Sequence, residues 1–201
     1  MNKIEFFFDF MSPFAYLAHE PLHRIAAEYG YEVDYQPIDL REAKRAAGNT
    51  GPPNIEIPPK IKYLMVDLQR WATRYGLPFK RIKSLACARV NKGTFWALDH
   101  DQAYEYTKEA YRLLWGMGSD PDDDQLLSAI AQTMGWDPGV FLEFLVSQDA
   151  EQRYRHCIDA AIGRGIFGVP IMCVDDQMWW GNDRLDFLTE YLAARGSEES
   201  S

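Results

Sequence analysis

The first dozen residues change abruptly from an apolar strand pattern to a helix start. Residues 4–10 are too continuously apolar for a half-exposed strand, so they predict a buried one. Ser12-Pro13 follows, and proline suits the first helical position because its missing N–H would have no partner there. Ser12 is therefore the predicted N-cap of a helix, where an anion would face unpaired N–H groups and the positive end of the helix dipole. An ordinary serine cap explains the same residues.

A helix and a second strand should follow this start. Apolar residues recur at helical spacing over residues 14–29 until Gly30, and Pro21 should kink that helix. Residues 33–38 predict a strand, with Pro37 placing its end at a sheet edge or a bulge. Strand, helix and strand in this order predict a parallel pair joined by a right-handed crossover.

The middle of the chain is predicted to be helical. Residues 47–59 are too rich in Gly, Pro and Asn for regular structure, and loops of this length are often functional. Beyond them, Gly76 should end one helix, and Asp120-Pro121 and Asp137-Pro138 each look like an N-cap followed by proline at the first helical position. Helical spacing of apolar residues continues through this segment, so we predict an all-helical lobe over residues 41–159.

Composition argues against several classes of function. The chain has 201 residues, a net charge of −9 and a pI near 4.9, so it lacks the basic surface that nucleic acids require. No apolar run approaches membrane-spanning length, and the N-terminus lacks the basic and small-residue segments of a secretory signal. We therefore expect a cytoplasmic protein with a small-molecule ligand, no nucleic-acid partner and no membrane contact.

The cysteines and histidines predict neither disulfides nor a metal site. Cys87, Cys157 and Cys173 are odd in number, far apart and without metal-ligand spacing. A reduced setting fits them best, and Cys173 alternates with apolar neighbours as a core residue would. His19 and His23 are four residues apart on one helix, but they lack the glutamate of an H-E-x-x-H pattern and do not predict a metal site.

Two segments together resemble a known superfamily. Ser-Pro-Phe-Ala at 12–15 and Gly-Val-Pro at 168–170 resemble the thioredoxin superfamily, in the branch that contains the periplasmic disulfide oxidoreductases and the kappa-class glutathione transferases. The Trp-Trp-Gly-Asn-Asp-Arg block at 179–184 is more specific and resembles the 2-hydroxychromene-2-carboxylate isomerases. Further pieces similar to this family lie within residues 8–18, 38–40, 66–71 and 178–185.

The resemblance implies a fold and an assembly. We expect an α/β protein with a thioredoxin-like four-stranded sheet domain formed by residues 1–40 and 160–196. The large all-helical lobe, residues 41–159, would be inserted into that domain. Residues 197–201 should be a disordered tail. Related proteins imply a homodimer.

The resemblance also locates the chemistry. Redox relatives carry Cys-x-x-Cys at the start of the first helix, whereas this chain has Ser12 and Ala15 there and cannot form that disulfide. What remains is a thiol-handling site without its own thiol, so the sulfur should arrive on glutathione, acting as a cofactor. Ser12 would donate its hydroxyl to that sulfur.

The resemblance assigns roles to further residues. The backbone of Val169, exposed by an expected cis bond to Pro170, would pair with the cysteinyl backbone of glutathione. Asp183 would pair with the γ-glutamyl ammonium, and Lys44 would meet the substrate carboxylate. Lys60 would reach the glycyl end of glutathione or the substrate, although plain solvation is an open alternative for both lysines. The predicted glutathione residues are Ser12, Phe14, Lys60, Val169, Pro170, Trp180, Gly181, Asn182 and Asp183, and the predicted substrate residues are Lys44, Asn54 and Leu85.

The implied activity is glutathione-dependent interconversion of 2-hydroxychromene-2-carboxylate and trans-o-hydroxybenzylidenepyruvate, a step in naphthalene breakdown. A kappa-like transferase, which consumes glutathione, and a thioredoxin-like binding module without chemistry are the alternatives. Ile55 and Leu85 stand where family members that process the naphthalene intermediate carry Arg and Tyr. Both differences remove polar contacts from the expected substrate pocket, so the aromatic acid handled here can differ.

Overall fold

The computed structural model describes residues 2–198, which form one mixed sheet surrounded by helices. The strands are β1 (Asn2–Phe8), β2 (Tyr31–Pro37), β3 (Ile171–Val174) and β4 (Gln177–Trp180). The helices are α1 (Pro13–Glu28), α2 (Leu40–Ala46), α3 (Pro58–Tyr75), α4 (Ala88–Asp99), α5 (Ala103–Tyr111), α6 (Asp124–Thr133), α7 (Pro138–Leu145), α8 (Gln148–Gly163) and α9 (Leu185–Glu198). Short 3-10 turns lie at Asn54–Glu56 and Asn182–Arg184, and a π-helical turn lies at Arg112–Gly116.

The sheet has the strand order β2-β1-β3-β4. Strand β1 runs parallel to β2 and antiparallel to β3, which forms a hairpin with β4. Helix α1 joins the parallel pair, and the hairpin follows the helical segment. Together they form the predicted four-stranded thioredoxin-like sheet. Strand β2 is an outer strand of the sheet, so Pro37, which has no N–H, does not interrupt a central hydrogen-bond ladder.

Strand β1 is buried on both faces of the sheet. Phe6 and Phe8 pack with α1 and the helical segment in one core cluster. Phe7 points to the opposite face and packs with Ile171 and Cys173 in a second cluster. Burial on both sides explains why β1 is an almost continuous apolar run. Cys173 is 1% exposed, which confirms it as a core residue.

Strand β1 begins at Asn2 and ends at Phe8, earlier at both ends than the predicted 4–10. Residues 9 and 10 leave the sheet because their backbone groups bond to the helical segment. The Phe10 N–H donates to Asn91 Oδ1 at 3.0 Å, and the Phe10 carbonyl accepts from Trp115 Nε1 at 2.8 Å. These tertiary hydrogen bonds replace the ladder that a longer strand would have made.

Two predicted helix boundaries are confirmed. Gly76 ends α3 in the left-handed conformation, with φ 68°. Asp137 caps α7, and its carboxylate accepts from the Val140 N–H at 3.0 Å. Both signals act within one helical turn, so neighbouring residues are enough to specify them.

The prediction of a cap at Asp120 is wrong. Helix α6 begins at Asp124 and is capped by Asp123. Asp120 instead accepts a hydrogen bond from the Asp122 N–H at 3.2 Å, which closes a turn before the helix. Several neighbouring aspartates can serve as the cap, and Asp123, which directly precedes the helix, does so.

The proposed division of the chain at residues 159 and 160 falls inside α8. Ile158 and Ala161 of this helix pack with Phe7 of the sheet, so α8 belongs to both parts. Helix α9 continues through residues 197 and 198, where we predicted the start of a disordered tail, because each added helical residue gains a backbone hydrogen bond. Residues 199–201 of that prediction lie outside the described residues. None of the helices in residues 2–198 is long and apolar enough to span a bilayer.

Candidate active site

The sheet register brings the predicted site segments to one end of the strands, which we call the sheet edge. Phe7 pairs with Ile171, and Ile171 pairs with Trp180, so the end of β1, the start of β3 and the end of β4 lie side by side. Phe8 pairs with Pro37, so α2 also starts at this edge. The segments that meet there carry Ser12, Lys44, Val169, Pro170, Gly181, Asn182 and Asp183.

Ser12 is the N-cap of α1, as predicted, and is 4% exposed. Its Oγ accepts from the Ala15 N–H at 3.3 Å, and its own N–H donates to the Asp9 carbonyl at 2.9 Å. Among residues 2–198, no protein acceptor takes the hydroxyl proton of Ser12. This proton is therefore available to a ligand at the helix N-terminus, where an anion is favoured.

The Val169-Pro170 segment lies beside the start of β3. Its peptide bond is cis, as expected. The Pro170 carbonyl accepts from the Gly181 N–H at 2.9 Å, which ties the start of β3 to the residue that follows β4. In the described part of the chain, the N–H and carbonyl of Val169 make no hydrogen bond. They can therefore pair with an extended peptide in the manner of an added strand.

Trp180 is 54% exposed, and its ring meets Phe167 edge-on with the centroids 5.0 Å apart. Gly168 leaves the space that the indole needs, because a Cβ there would lie 2.8 Å from Trp180 Nε1. Gly181 follows at φ 110°, a conformation that favours glycine. The space at Gly168 therefore allows the exposed indole to lie against the residue before Val169.

Asn182 and Asp183 form a short turn after β4. Asn182 is 3% exposed, and its Nδ2 group has no hydrogen-bond partner among the described residues. The Tyr75 hydroxyl donates to the Asn182 carbonyl at 3.5 Å. The Asp183 carboxylate pairs with Arg184 at 2.8 Å, and both side chains are about half exposed. Since an unpaired buried amide costs free energy, the Asn182 side chain is a group that a ligand can satisfy.

Asn54 and Lys60 lie together at the start of α3, where Lys60 Nζ donates to Asn54 Oδ1 at 3.3 Å. They border an open pocket of about 380 Å³. The lining residues are Asn54, Pro59, Lys60, Tyr63 and Leu64. Neither Ser12 nor Val169 lines this pocket, so the structure places the predicted residues in two groups, one at the sheet edge and one on α3.

Lys44, Leu85 and Phe14 are half-buried. Lys44 has no ion-pair partner in residues 2–198, and burial lowers the pKa of its ammonium group. Leu85 and Phe14 pack against the main core cluster, and neither lines the pocket at α3. An unpaired, half-buried cation suits an anionic ligand.

No cysteine in the described chain is prepared to act as a nucleophile. Cys87, Cys157 and Cys173 are all buried and free. Burial raises the pKa of each thiol, to about 12 for Cys157 and about 11 for Cys173. All three are therefore protonated at neutral pH, and the site has no thiolate of its own.

Known proteins share this architecture. The sequence matches the DSBA-like thioredoxin domain family over residues 3–193. It is 47% identical over 191 residues to a 2-hydroxychromene-2-carboxylate isomerase from Sphingobium xenophagum, a match that covers 95% of this chain and 98% of the relative. The chain belongs to the 2-hydroxychromene-2-carboxylate isomerase family.

Further relatives agree with this family membership. A 2-hydroxychromene-2-carboxylate isomerase from Pseudomonas putida is 43% identical over 192 residues, covering 96% of this chain and 94% of the relative. A solved structure of such an isomerase superposes with a TM-score of 0.93 at 40% identity and covers 99% of both chains. Human glutathione S-transferase kappa 1 is 25% identical over 210 residues, covering 96% of this chain and 92% of the transferase. The predicted fold and family are confirmed.

In this member of the isomerase family, sequence reasoning missed the polar groups behind Ser12. The Asp9 side chain is buried and accepts from Asn91 Nδ2 at 3.0 Å, and the same amide donates to the Tyr154 hydroxyl at 2.9 Å. Burial raises the pKa of Asp9 more than its hydrogen bonds lower it. The sequence signal that could have found them is Asp9 itself, a carboxylate directly after a buried strand, because a buried charge needs a specific hydrogen-bond partner.

Proposed function

We propose that this chain is a glutathione-dependent isomerase that interconverts 2-hydroxychromene-2-carboxylate, or a related aromatic acid, and trans-o-hydroxybenzylidenepyruvate. The observation that carries the proposal is Ser12, a buried N-cap with an unused hydroxyl proton at the position where redox relatives carry a cysteine. Membership of the isomerase family supports the reaction. Similarity to a kappa glutathione S-transferase supports the cofactor.

The groups at the sheet edge fit glutathione at three points. The Ser12 hydroxyl would donate to its sulfur, and the unpaired backbone of Val169 would pair with its cysteinyl backbone. The orphaned amide of Asn182 and the carboxylate of Asp183 would hold the γ-glutamyl end. When bound, glutathione would supply a thiol nucleophile for reversible addition to the conjugated double bond and would be recovered unchanged.

Magnitudes limit what Ser12 contributes through ionisation alone. Lowering a thiol pKa from about 8.5 to about 6.5 requires roughly 2.7 kcal/mol and raises the thiolate fraction at pH 7 from a few per cent to about three quarters. A Brønsted slope of roughly 0.4–0.5 cancels most of this gain, because a less basic thiolate is a poorer nucleophile. Orientation of the thiolate against the substrate, which can contribute roughly 7–11 kcal/mol, must therefore supply most of the rate. Ser12 would serve both tasks, because hydrogen bonds to its Oγ and from its N–H place it in the cap of α1.

The substrate carries a carboxylate, and Lys44 is the cation that we assign to it. Its ammonium has no ion-pair partner in the described chain, and Lys44 lies four residues after Leu40, where α2 starts at the sheet edge. Asn54 and Lys60 would contribute from the α3 pocket, next to the exposed Ile55. With Leu85 half-buried and apolar, this side of the site would favour a less polar aromatic acid.

We also propose that the protein works as a homodimer in the cytoplasm. Buried, free cysteines fit a reducing compartment, in keeping with this proposal. Light scattering after size-exclusion chromatography tests the assembly, and a monomer at micromolar concentration would contradict it.

An ultraviolet assay with 2-hydroxychromene-2-carboxylate, with and without glutathione, tests the proposed function. Wild-type turnover should require glutathione, and Ser12→Ala should lower kcat by about a hundredfold to a thousandfold, the range for loss of one preorganised donor. Ser147→Ala is the matched control, because Ser147 caps α8 in the same way and its Oγ accepts from the Ala150 N–H at 3.1 Å. Each substitution removes one cap and should cost about 1 kcal/mol of stability, but Ser147→Ala should leave kcat unchanged.

The same assay separates the alternatives. An isomerase leaves the glutathione concentration unchanged, whereas a kappa-like transferase consumes glutathione in proportion to product. A binding module without chemistry would turn over no electrophile and would leave the glutathione thiol pKa unaltered. Full activity without glutathione would contradict the proposed mechanism.

A further inference from the structure

The carboxylate of Asp9 accepts hydrogen bonds from three N–H donors. Oδ1 accepts from the Met11 N–H and from Asn91 Nδ2, each at 3.0 Å, and Oδ2 accepts from the Leu40 N–H at 3.0 Å. Asp9 is 3% exposed, and no cation pairs with it in residues 2–198. Burial raises the pKa of Asp9, but all three contacts are donors, so this geometry suits the ionised carboxylate: a carboxylic acid proton would find no acceptor among them.

The two oxygens of Asp9 connect different parts of the site. Met11 directly precedes Ser12, and Leu40 is the first residue of α2, the helix that carries Lys44. One side chain therefore joins the loop that presents the serine to the helix that presents the lysine. Backbone bonds between these two segments are confined to the strand register that precedes them, which ends with the Ile38 N–H donating to the Phe8 carbonyl.

Asn91 holds this carboxylate from the helical segment. Its Nδ2 donates to Asp9 and to the Tyr154 hydroxyl, and its Oδ1 accepts from the Phe10 N–H at 3.0 Å. Asn91 is 1% exposed, so water does not compete with these bonds. The brace comes from α4 and α8, so the loop from Asp9 to Ser12 is held from outside the sheet.

A buried carboxylate without a cationic partner contributes little to the stability of the fold by itself. Removing a charge from water is unfavourable, and apolar or neutral polar groups of similar size fill such positions at lower cost. Its advantage is geometric, since an ionised carboxylate accepts strong hydrogen bonds at both oxygens and fixes the donors relative to one another. A neutral amide can accept at only one of its two positions.

We propose that Asp9 is a positioning residue that fixes the Ser12 hydroxyl relative to the Lys44 ammonium, so that the bound thiolate and the substrate meet in a reactive geometry. Asp9 contacts neither reactant. The inference rests on the proposed function, because it assigns the thiol to Ser12 and the substrate carboxylate to Lys44. It adds the requirement that the Ser12 hydroxyl and the Lys44 ammonium be held at a fixed distance from each other.

The test is Asp9→Asn in the full chain, with Tyr106→Phe as the control. Asp9→Asn keeps the shape but presents an NH₂ group to an N–H donor, so the Ser12 loop and α2 should separate slightly. A misplacement of about 1 Å can cost about a hundredfold in rate, so kcat should fall by about tenfold to a hundredfold. The Kd for glutathione, measured by calorimetry, should change by less than about threefold, since no glutathione contact is removed. Tyr106→Phe also removes a buried hydrogen bond, from its hydroxyl to the Val90 carbonyl at 2.6 Å, and should leave kcat unchanged.

All variants are assayed below their thermal midpoints, with circular dichroism confirming the fold. A folded Asp9→Asn with wild-type kcat, in an enzyme whose wild type needs glutathione, overturns this inference and leaves the proposed function standing. Wild-type activity without glutathione overturns both. Should Asp9→Asn fail to fold, Asn91→Ala removes one of the three donors to Asp9 and should lower kcat with an unchanged glutathione Kd. An unchanged kcat in that variant overturns the inference.

Discussion

The imidazole of His19 shares a hydrogen bond with the hydroxyl of Tyr35, with 3.0 Å between Nε2 and the phenol oxygen. The bond joins α1 to β2 inside the main core, where His19 is 2% exposed. The rings of His19 and His23 both stack on Tyr104, with centroid distances of 5.4 and 3.8 Å. The histidine pair on α1 thus packs the core, and the described chain has no cluster of three or more His, Cys, Asp or Glu that could hold a metal.

Acid should destabilise the protein through His19. Burial, aided by the nearby positive charges of His23 and Lys108, lowers the pKa of His19 to about 3. Because the folded-state pKa lies below the unfolded value of about 6.5, the unfolded chain binds a proton that the folded chain excludes. This contribution to the free energy of unfolding is present above about pH 6.5 and falls by about 2–3 kcal/mol between about pH 6.5 and about pH 4.5. Urea denaturation at a series of pH values measures this loss.

A substitution isolates the contribution of His19 from that of the carboxylates. His19→Gln should flatten the stability profile between about pH 6.5 and about pH 4.5, although it lowers stability at neutral pH. His156→Gln is the control for the substitution itself, because His156 is exposed on α8 and its replacement removes no buried imidazole. Parallel profiles for His19→Gln and wild type would contradict this prediction.

Gly93→Ala should destabilise the protein although alanine is the better helix former. A Cβ at Gly93 would lie 2.1 Å from the Tyr106 hydroxyl oxygen and 3.0 Å from the Phe141 ring. The Tyr106 hydroxyl is held by the Val90 carbonyl, so the ring cannot retreat without breaking a buried hydrogen bond. We expect a loss of about 1–3 kcal/mol in the free energy of unfolding. Gly163→Ala, with nothing within 4 Å of its Cβ, should instead gain about 0.5–1 kcal/mol.

Gly168→Ala should weaken glutathione binding. The new Cβ would press on Trp180 Nε1 at 2.8 Å and displace the indole from its place beside Val169. We expect the Kd for glutathione to rise by about tenfold, equivalent to about 1.4 kcal/mol, with the thermal midpoint little changed because Trp180 is half exposed. Gly51→Ala in the exposed loop, with open space around its Cβ, is the control. Equal Kd values for the two variants would show that Trp180 does not contribute to the site.

Lys44→Met should raise the KM for the aromatic acid. Loss of a charge-assisted hydrogen bond costs about 1.5–3 kcal/mol, so KM should rise by at least about tenfold. The Kd for glutathione should stay constant, because Lys44 is assigned to the substrate. Arg45→Met removes a neighbouring exposed cation from the same helix and should leave KM unchanged. A parallel rise in both variants would indicate a general effect of charge, and an unchanged KM for Lys44→Met would remove Lys44 from the substrate site.

The sequence predicted the fold and most of the residues that lie together at the sheet edge, but not the buried contacts that hold them there. The resemblance in the blocks around Ser12, Val169 and Trp180 was sufficient because the sheet register brings these segments to one edge. The prediction for Asp120 was wrong because adjacent aspartates compete for the same helix start. The grouping of Asn54 and Lys60 away from Ser12 depends on where α3 packs, which no local pattern shows.

By itself the sequence determined the structural features whose hydrogen bonds lie within one helical turn. The cap at Ser12 and the end of α3 at Gly76 are examples, because neighbouring residues supply all their hydrogen bonds. Only the tertiary structure decided which polar groups hold the site. Asp9 and Asn91 are 82 residues apart in the chain, and their hydrogen bond exists because the helical segment packs against the end of β1. A buried carboxylate must find its donors wherever the fold places them, and those donors come from packing rather than from sequence neighbours.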